Sequence, residues 1–145
     1  MPNHLTARYG LIHGAYWASY AAIAAYVNLY LLEMGFSSGA IGVLIALAGL
    51  LSALLQPLAA SYADRETSPN LKAINLAIAA LWMLSALGLL VFHKNKVASL
   101  LFYGGCLSLL QLQTPLVNGL GVTSINCGCK LNYGVSKSVS SVTYA

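Results

Sequence analysis

Four stretches of this chain, residues 9–32, 34–63, 73–93 and 97–129, contain no Asp, Glu, Lys or Arg. Each is long enough to cross a bilayer core of about 30 Å, which takes roughly 20 apolar residues as helix. A soluble domain of 145 residues cannot hide four such runs, because too little polar surface remains to cover them. Charged residues make up 7% and hydrophobic residues 59% of the chain, where a soluble domain carries about 25% charge. Soluble enzyme, nucleic-acid binder and disordered chain are excluded. The chain reads as a polytopic membrane protein, and its net charge of +4 belongs to residues that flank spans, not to a nucleic-acid partner.

The breaks between charge-free runs predict transmembrane helices over about 9–32, 40–62, 71–92 and 97–125, with a fifth starting near 133. Gly35 to Gly39 read as a short turn offering Ser37 or Ser38 as an N-cap, and Pro69 suits the first turn of the third helix. Gly42, Ala46, Gly49 and Ala53 recur at three- and four-residue spacing, a row that lets another helix approach closely. Pro115 and Gly119 are placed to bend the fourth helix. Residues 133–145 are too few to span a membrane, so the chain reads as stopping inside its fifth helix. If the N-terminus lies inside, Arg8, Arg65, Lys72, Lys130 and Lys137 fall on the inner side and Lys94 and Lys96 outside. That balance favours a multi-pass protein of the cell membrane with a cytoplasmic N-terminus. A signal peptide is the alternative for the first run, since Arg8 precedes it, but its length and the spans that follow favour a retained helix. Cys106 sits in an apolar run as a small hydrophobe. Cys127-x-Cys129 lacks the second ligand pair a zinc site needs. No metal and no cofactor are expected.

Four segments then line up in order: A-A-Y-V-N-L-Y-L at 24–31, G-F-S-S-G-A-I-G at 35–42, Q-P-L-A-A-S-Y-A-D-R at 56–65 and N-Y-G-V-S-K-S-V-S-S-V-T-Y-A at 132–145. Together they resemble the N-terminal part of a major facilitator superfamily transporter, most closely the branch of lactose permease and related oligosaccharide or nucleoside proton symporters. Asp64 and Arg65 match the central pair of that family's loop motif between helices two and three. Ala60 and Thr67 stand where the motif has glycines, and the next basic residue comes only at Lys72. The resemblance implies an all-α membrane fold: four transmembrane helices and the start of a fifth, an incomplete N-terminal six-helix bundle of a twelve-helix protein whose C-terminal half is absent.

On the first helix, Tyr9, His13, Tyr16 and Tyr20 share a face with Ala24 and Val27 at about 100° per residue. Hydroxyls and imidazole are costly toward lipid, so this face should look into the bundle or a watery cavity. Trp17, Tyr26 and Tyr30 point elsewhere and read as packing or belt residues. Lys137 lies one turn into the fifth helix, and Tyr144, seven residues on, shares its face. The resemblance puts Lys137 where lactose permease carries a sugar-gripping arginine, Tyr144 at an aromatic that stacks on the sugar ring, and Tyr20 at an aromatic near the site. It puts Asn118 at a carboxylate that pairs with the arginine. A Lys–Asn pair keeps a net positive charge, which speaks against lactose and for an anionic or nucleoside-like solute. Gln111 and Gln113 read mainly as amide links between helices.

The expected substrate-binding set is therefore Tyr20, Ala24, Asn118, Lys137 and Tyr144, with Asp64 and Arg65 forming the conformational loop. No catalytic residues are expected, because His4, His13 and His93 lie on separate segments without paired carboxylates. The expected function is the N-terminal part of a secondary active transporter, a proton symporter of a small polar solute (sugar, oligosaccharide or nucleoside-like). Its partners are that solute, protons, the lipid bilayer and the missing C-terminal half, without which no transport is expected. Two alternatives remain. One is a non-transporting membrane interaction protein or degenerate transporter. The other is a small dimeric four-helix exporter, disfavoured because no carboxylate lies mid-span.

Overall fold

A computed structural model of the chain describes residues 4–65 and 68–145. Five helices follow one another: α1 (His4–Glu33), α2 (Ser38–Ala63), α3 (Leu71–Val91), α4 (Lys96–Asn126) and α5 (Tyr133–Tyr144). Among the described residues there is no strand. Helices α2 to α5 start with one shared device. The side-chain oxygens of Ser37, Asn70, Asn95 and Asn132 accept the backbone N–H three residues on, satisfying a donor the first turn cannot pair. Asn70, not the neighbouring Pro69, therefore sets the start of α3, and Pro69 stays outside the helix. The ends of α1 and α4 are also alike. Gly35 (φ 81°) and Gly128 (φ 78°) take the left-handed conformation that closes a Schellman turn. The Phe36 N–H donates to Leu31 O, and the Cys129 N–H to Ser124 O.

Three of the helices, α2, α3 and α4, are long and apolar enough to cross a membrane. That is one fewer than the charge gaps suggest. Helix α1 has the length, at 30 residues, but its tyrosines, His13, Ser19 and Asn28 dilute its apolarity. The polarity is turned inward. His13, Ser52, Asn75, Ser99, Gln113, Ser136 and Ser140 are buried, while Leu50, Leu54, Leu58, Leu76, Leu84 and Leu90 are exposed. A soluble core has the opposite arrangement. This distribution and the three apolar helices fit a membrane protein.

Residue pairings fix the helix directions. Along the α1–α4 seam, Tyr9 meets Val117, Tyr16 meets Leu110, Ile23 meets Tyr103 and Tyr30 meets Ser99, so these helices run antiparallel. Along α3–α4, Asn75 meets Leu116, Trp82 meets Gln113 and Gly88 meets Phe102, again antiparallel. Along α2–α4, Leu44 lies against Gly104 and Gly49 against Gln111, which is parallel. Helix α5 runs parallel to α1: Ser136 meets Thr6, Val139 meets Gly10 and Gly14, and Tyr144 meets Trp17. The centre of the bundle is thus the antiparallel pair α1 and α4, each carrying a parallel neighbour, α5 and α2 respectively.

Helix α5 approaches α1 closely at Gly14. A Cβ placed there would sit 3.2 Å from Val139 Cγ1, whereas one on Gly10 would make ordinary contact with Val139 Cγ2 at 3.6 Å. Gly10-x-x-x-Gly14 is therefore the small-residue pair that admits a neighbour. The row Gly42, Ala46, Gly49, Ala53 does little of this within the chain. Gly42, Ala46 and Ala53 are exposed, and α2 turns Ile41, Ala48 and Ser52 inward.

Pro115 cannot donate to the Gln111 carbonyl one turn before it. The Gln56 side-chain amide supplies the missing donor, Nε2 to Gln111 O at 3.2 Å. Gln56→Leu is expected to lower the free energy of unfolding by about 1 kcal/mol, within the range of interhelical hydrogen bonds in bilayers. Reversible unfolding in bicelles would measure it. An unchanged stability would mean that the carbonyl needs no partner.

Candidate functional site

The polar face expected on α1 divides between two neighbours. Tyr9, His13 and Tyr16 face α4 and are used there. The Tyr9 hydroxyl donates to Val117 O at 3.2 Å, and the Tyr16 hydroxyl donates to Leu110 O at 2.7 Å and also meets Thr114 Oγ1. Tyr103 of α4 answers by donating to Ile23 O of α1 at 2.8 Å. With no competing water in a bilayer core, such hydroxyl-to-carbonyl bonds fasten helices where apolar contact alone gives no preference for protein over lipid. His13 is buried, and its Nε2 lies 2.9 Å from Asn118 Oδ1. The amide oxygen accepts, so Nε2 carries the proton. Nδ1 is then the acceptor, buried without a partner among the described residues.

Tyr20 faces the other way, toward α5. Its ring lies 6.3 Å from that of Tyr144, and the Trp17 ring lies 5.5 Å from Tyr20 and 5.4 Å from Tyr144, edge-on to the latter at 89°. Trp17 therefore does not point away, as its helical position alone suggests. The parallel docking of α5 brings it to the same place as Tyr20. Beside this trio opens a cleft of about 460 Å³ lined by Trp17, Lys137, Ser140, Ser141 and Tyr144. Its size falls in the range of about 300–1,000 Å³ typical of small-molecule sites.

Lys137 is half-buried in that wall. Its ammonium lies 5.7 Å from the centre of the Tyr133 ring and has no carboxylate partner among the described residues. Lys137 lies one turn into α5, and a cation–π contact of this kind is worth about 0.5–2 kcal/mol. The Ser140 and Ser141 hydroxyls both donate to Lys137 O, at 2.6 and 3.3 Å, and so hold their oxygens along the same wall.

Of the five residues expected at the site, Tyr20, Lys137 and Tyr144 come together at or beside this cleft. Asn118 does not pair with Lys137. It accepts from His13 and, at 3.4 Å, from the Tyr133 hydroxyl, and so reaches Lys137 only through the Tyr133 ring. Ala24 lies one turn above Tyr20, half-buried and outside the cleft wall. The local sequence signal for Trp17 was its position three residues before Tyr20, on one side of the helix.

Asp64 caps the end of α2 and, like Arg65, exposes its side chain, with no side-chain partner for either among the described residues. A carboxylate at a helix C-terminus is unfavourable to the helix dipole, so capping of α2 does not account for it. Glu66 and Thr67, the latter standing where the loop motif has a glycine, lie outside the described residues. Gln113 links α3 and α4: it accepts from Trp82 Nε1 at 2.9 Å and donates to Asn75 O at 3.1 Å.

A family model described as "MFS_1 like family" matches residues 9–145 of the chain. No curated protein and no solved structure matches it.

Proposed function

Because the chain belongs to the MFS_1 like family, we propose that it is the N-terminal portion of a secondary active transporter that carries a small polar solute by alternating access, with the α1–α5 cleft as its part of the solute site. The observation that carries this reading is the meeting of Lys137, Trp17, Tyr144 and two serine hydroxyls around one cleft. A cation and hydroxyls hold the polar edge of a solute, and aromatic rings cover its apolar face. The lactose-permease-like branch and proton coupling rest on the sequence resemblance, as does the view that a further bundle completes the carrier. The remaining partners are the bilayer and protons, and the N-terminus is cytoplasmic. Secondary carriers place such sites between repeats near the bilayer midplane and rock one bundle against the other around them. The central antiparallel pair α1/α4 with its two parallel neighbours has the arrangement that an inverted repeat requires. Enzyme activity forms no part of this function.

The test is solute binding by the full chain in proteoliposomes, against a panel of neutral sugars, nucleosides and sugar acids. At least one class is expected to change the tryptophan emission, and that change is expected to vanish in Trp17→Phe. Lys137→Ala is expected to weaken binding of the responding solute at least tenfold. A panel that leaves Trp17 emission unaltered throughout would overturn the assignment of the cleft.

A further inference from the structure

The whole sequence holds three acidic residues, Glu33, Asp64 and Glu66. Glu33 ends α1, more than three turns beyond Tyr20, and Asp64 caps α2. None lies on α5 or within the stretch of α1 that faces it. The ammonium of Lys137 therefore enters the cleft against an aromatic ring and with no carboxylate partner among the described residues. A neutral solute would leave that charge as it is, and a dianion would bring one negative charge too many. One negative charge matches.

Shape narrows the class further. Lys137 and Tyr144 stand seven residues apart on one helix, a rise of about 10 Å, and both line the cleft with Trp17 between the helices. That span fits one ring with an acidic group at one end. The edge-on packing of Trp17 against Tyr144, with Tyr20 beside both, offers apolar faces for the ring.

We propose that the α1–α5 cleft takes an organic monoanion built on a single six-membered ring, its carboxylate on Lys137 and its ring against Trp17 and Tyr144. This rests on reading the cleft as a solute site. Discrimination by charge then comes from one lysine that no carboxylate in the wall neutralises.

The test uses two pairs of probes matched in size and different in charge: benzoate against benzamide, and glucuronate against glucose. Each is titrated into the full chain in nanodiscs and followed by the emission that Trp17→Phe removes. At least one anion is expected to bind at least tenfold more tightly than its neutral partner, and Lys137→Gln should bring the two to parity. Chloride at equal concentration should not compete. Equal or tighter binding of both neutral probes would overturn the charge assignment while leaving the solute site standing. Discrimination that survives in Lys137→Gln would also overturn it. Effective competition by chloride would remove the ring from the proposal. Silence of all four probes would overturn it for this ring class, and silence across the wider solute panel would remove the site itself. If Lys137→Gln fails to fold, the matched pairs in the wild-type chain decide the matter alone.

Discussion

Gly121→Val is expected to lower the free energy of unfolding by about 2–4 kcal/mol. A Cβ there would lie 2.6 Å from Tyr9 Cζ and 2.8 Å from Tyr133 Cε2, with α1 on one side and α5 on the other. Tyr9 and Tyr133 are themselves stacked, 5.9 Å between centres, so neither ring can yield without moving the other. Overpacking of this kind costs about 1–3 kcal/mol. Displacing Tyr9 also breaks its bond to Val117 O, worth up to about 1.7 kcal/mol in a bilayer. Gly42→Val is the control, since nothing lies within 4 Å of a Cβ at that position, and a change below about 0.5 kcal/mol is expected. Reversible unfolding of both variants in bicelles would show the contrast. Similar values for the two would mean that the α1–α4–α5 junction is not the tight point of the bundle.

Asn118→Leu is the second large effect, about 2–3 kcal/mol. One amide oxygen serves two donors, His13 Nε2 and the Tyr133 hydroxyl, and leucine leaves both without it. A buried donor left unpaired costs about 1–3 kcal/mol. Adding His13→Phe removes one of the stranded donors. The double variant should therefore be more stable than the sum of the two single losses predicts, by about 0.5–2 kcal/mol. Strict additivity in that cycle would show that the His13–Asn118 bond contributes nothing of its own.

Local chemistry made much of this architecture readable from the residues. The charge gaps marked the helices, and Ser37, Asn70, Asn95 and Asn132 marked four of their starts, because capping depends on neighbours three residues apart. The shared face of Lys137 and Tyr144 was equally legible, since both lie on one helix. What depended on distant partners was not. Tyr9, His13, Tyr16 and Tyr20 look like one polar stripe on a helical wheel. Which of them fasten α4 and which turn toward α5 depends on where α5 docks, and no local pattern encodes that. Trp17 falls off that stripe and reaches the cleft for the same reason. The small-residue row on α2 is longer than Gly10-x-x-x-Gly14, yet the length of the row does not decide which helix is approached. Spacing shows only that an approach is allowed. The partner is decided by which helix arrives, as Val139 does over Gly14.

The parallel docking of α5 on α1 also has a consequence for synthesis. Thr6 and Ser136, whose backbone and hydroxyl join these helices, lie 130 positions apart. At about 5–20 residues per second of translation, the first helix waits roughly 7–26 s for its neighbour to emerge from the ribosome. During that interval the seam around Gly10 and Gly14 faces lipid or the insertion machinery, and only α4 arrives in time to hold Tyr9 and Tyr16. Helix α1 is made long before α5 closes over it, so its α5-facing side is the part of this chain most dependent on protection during synthesis.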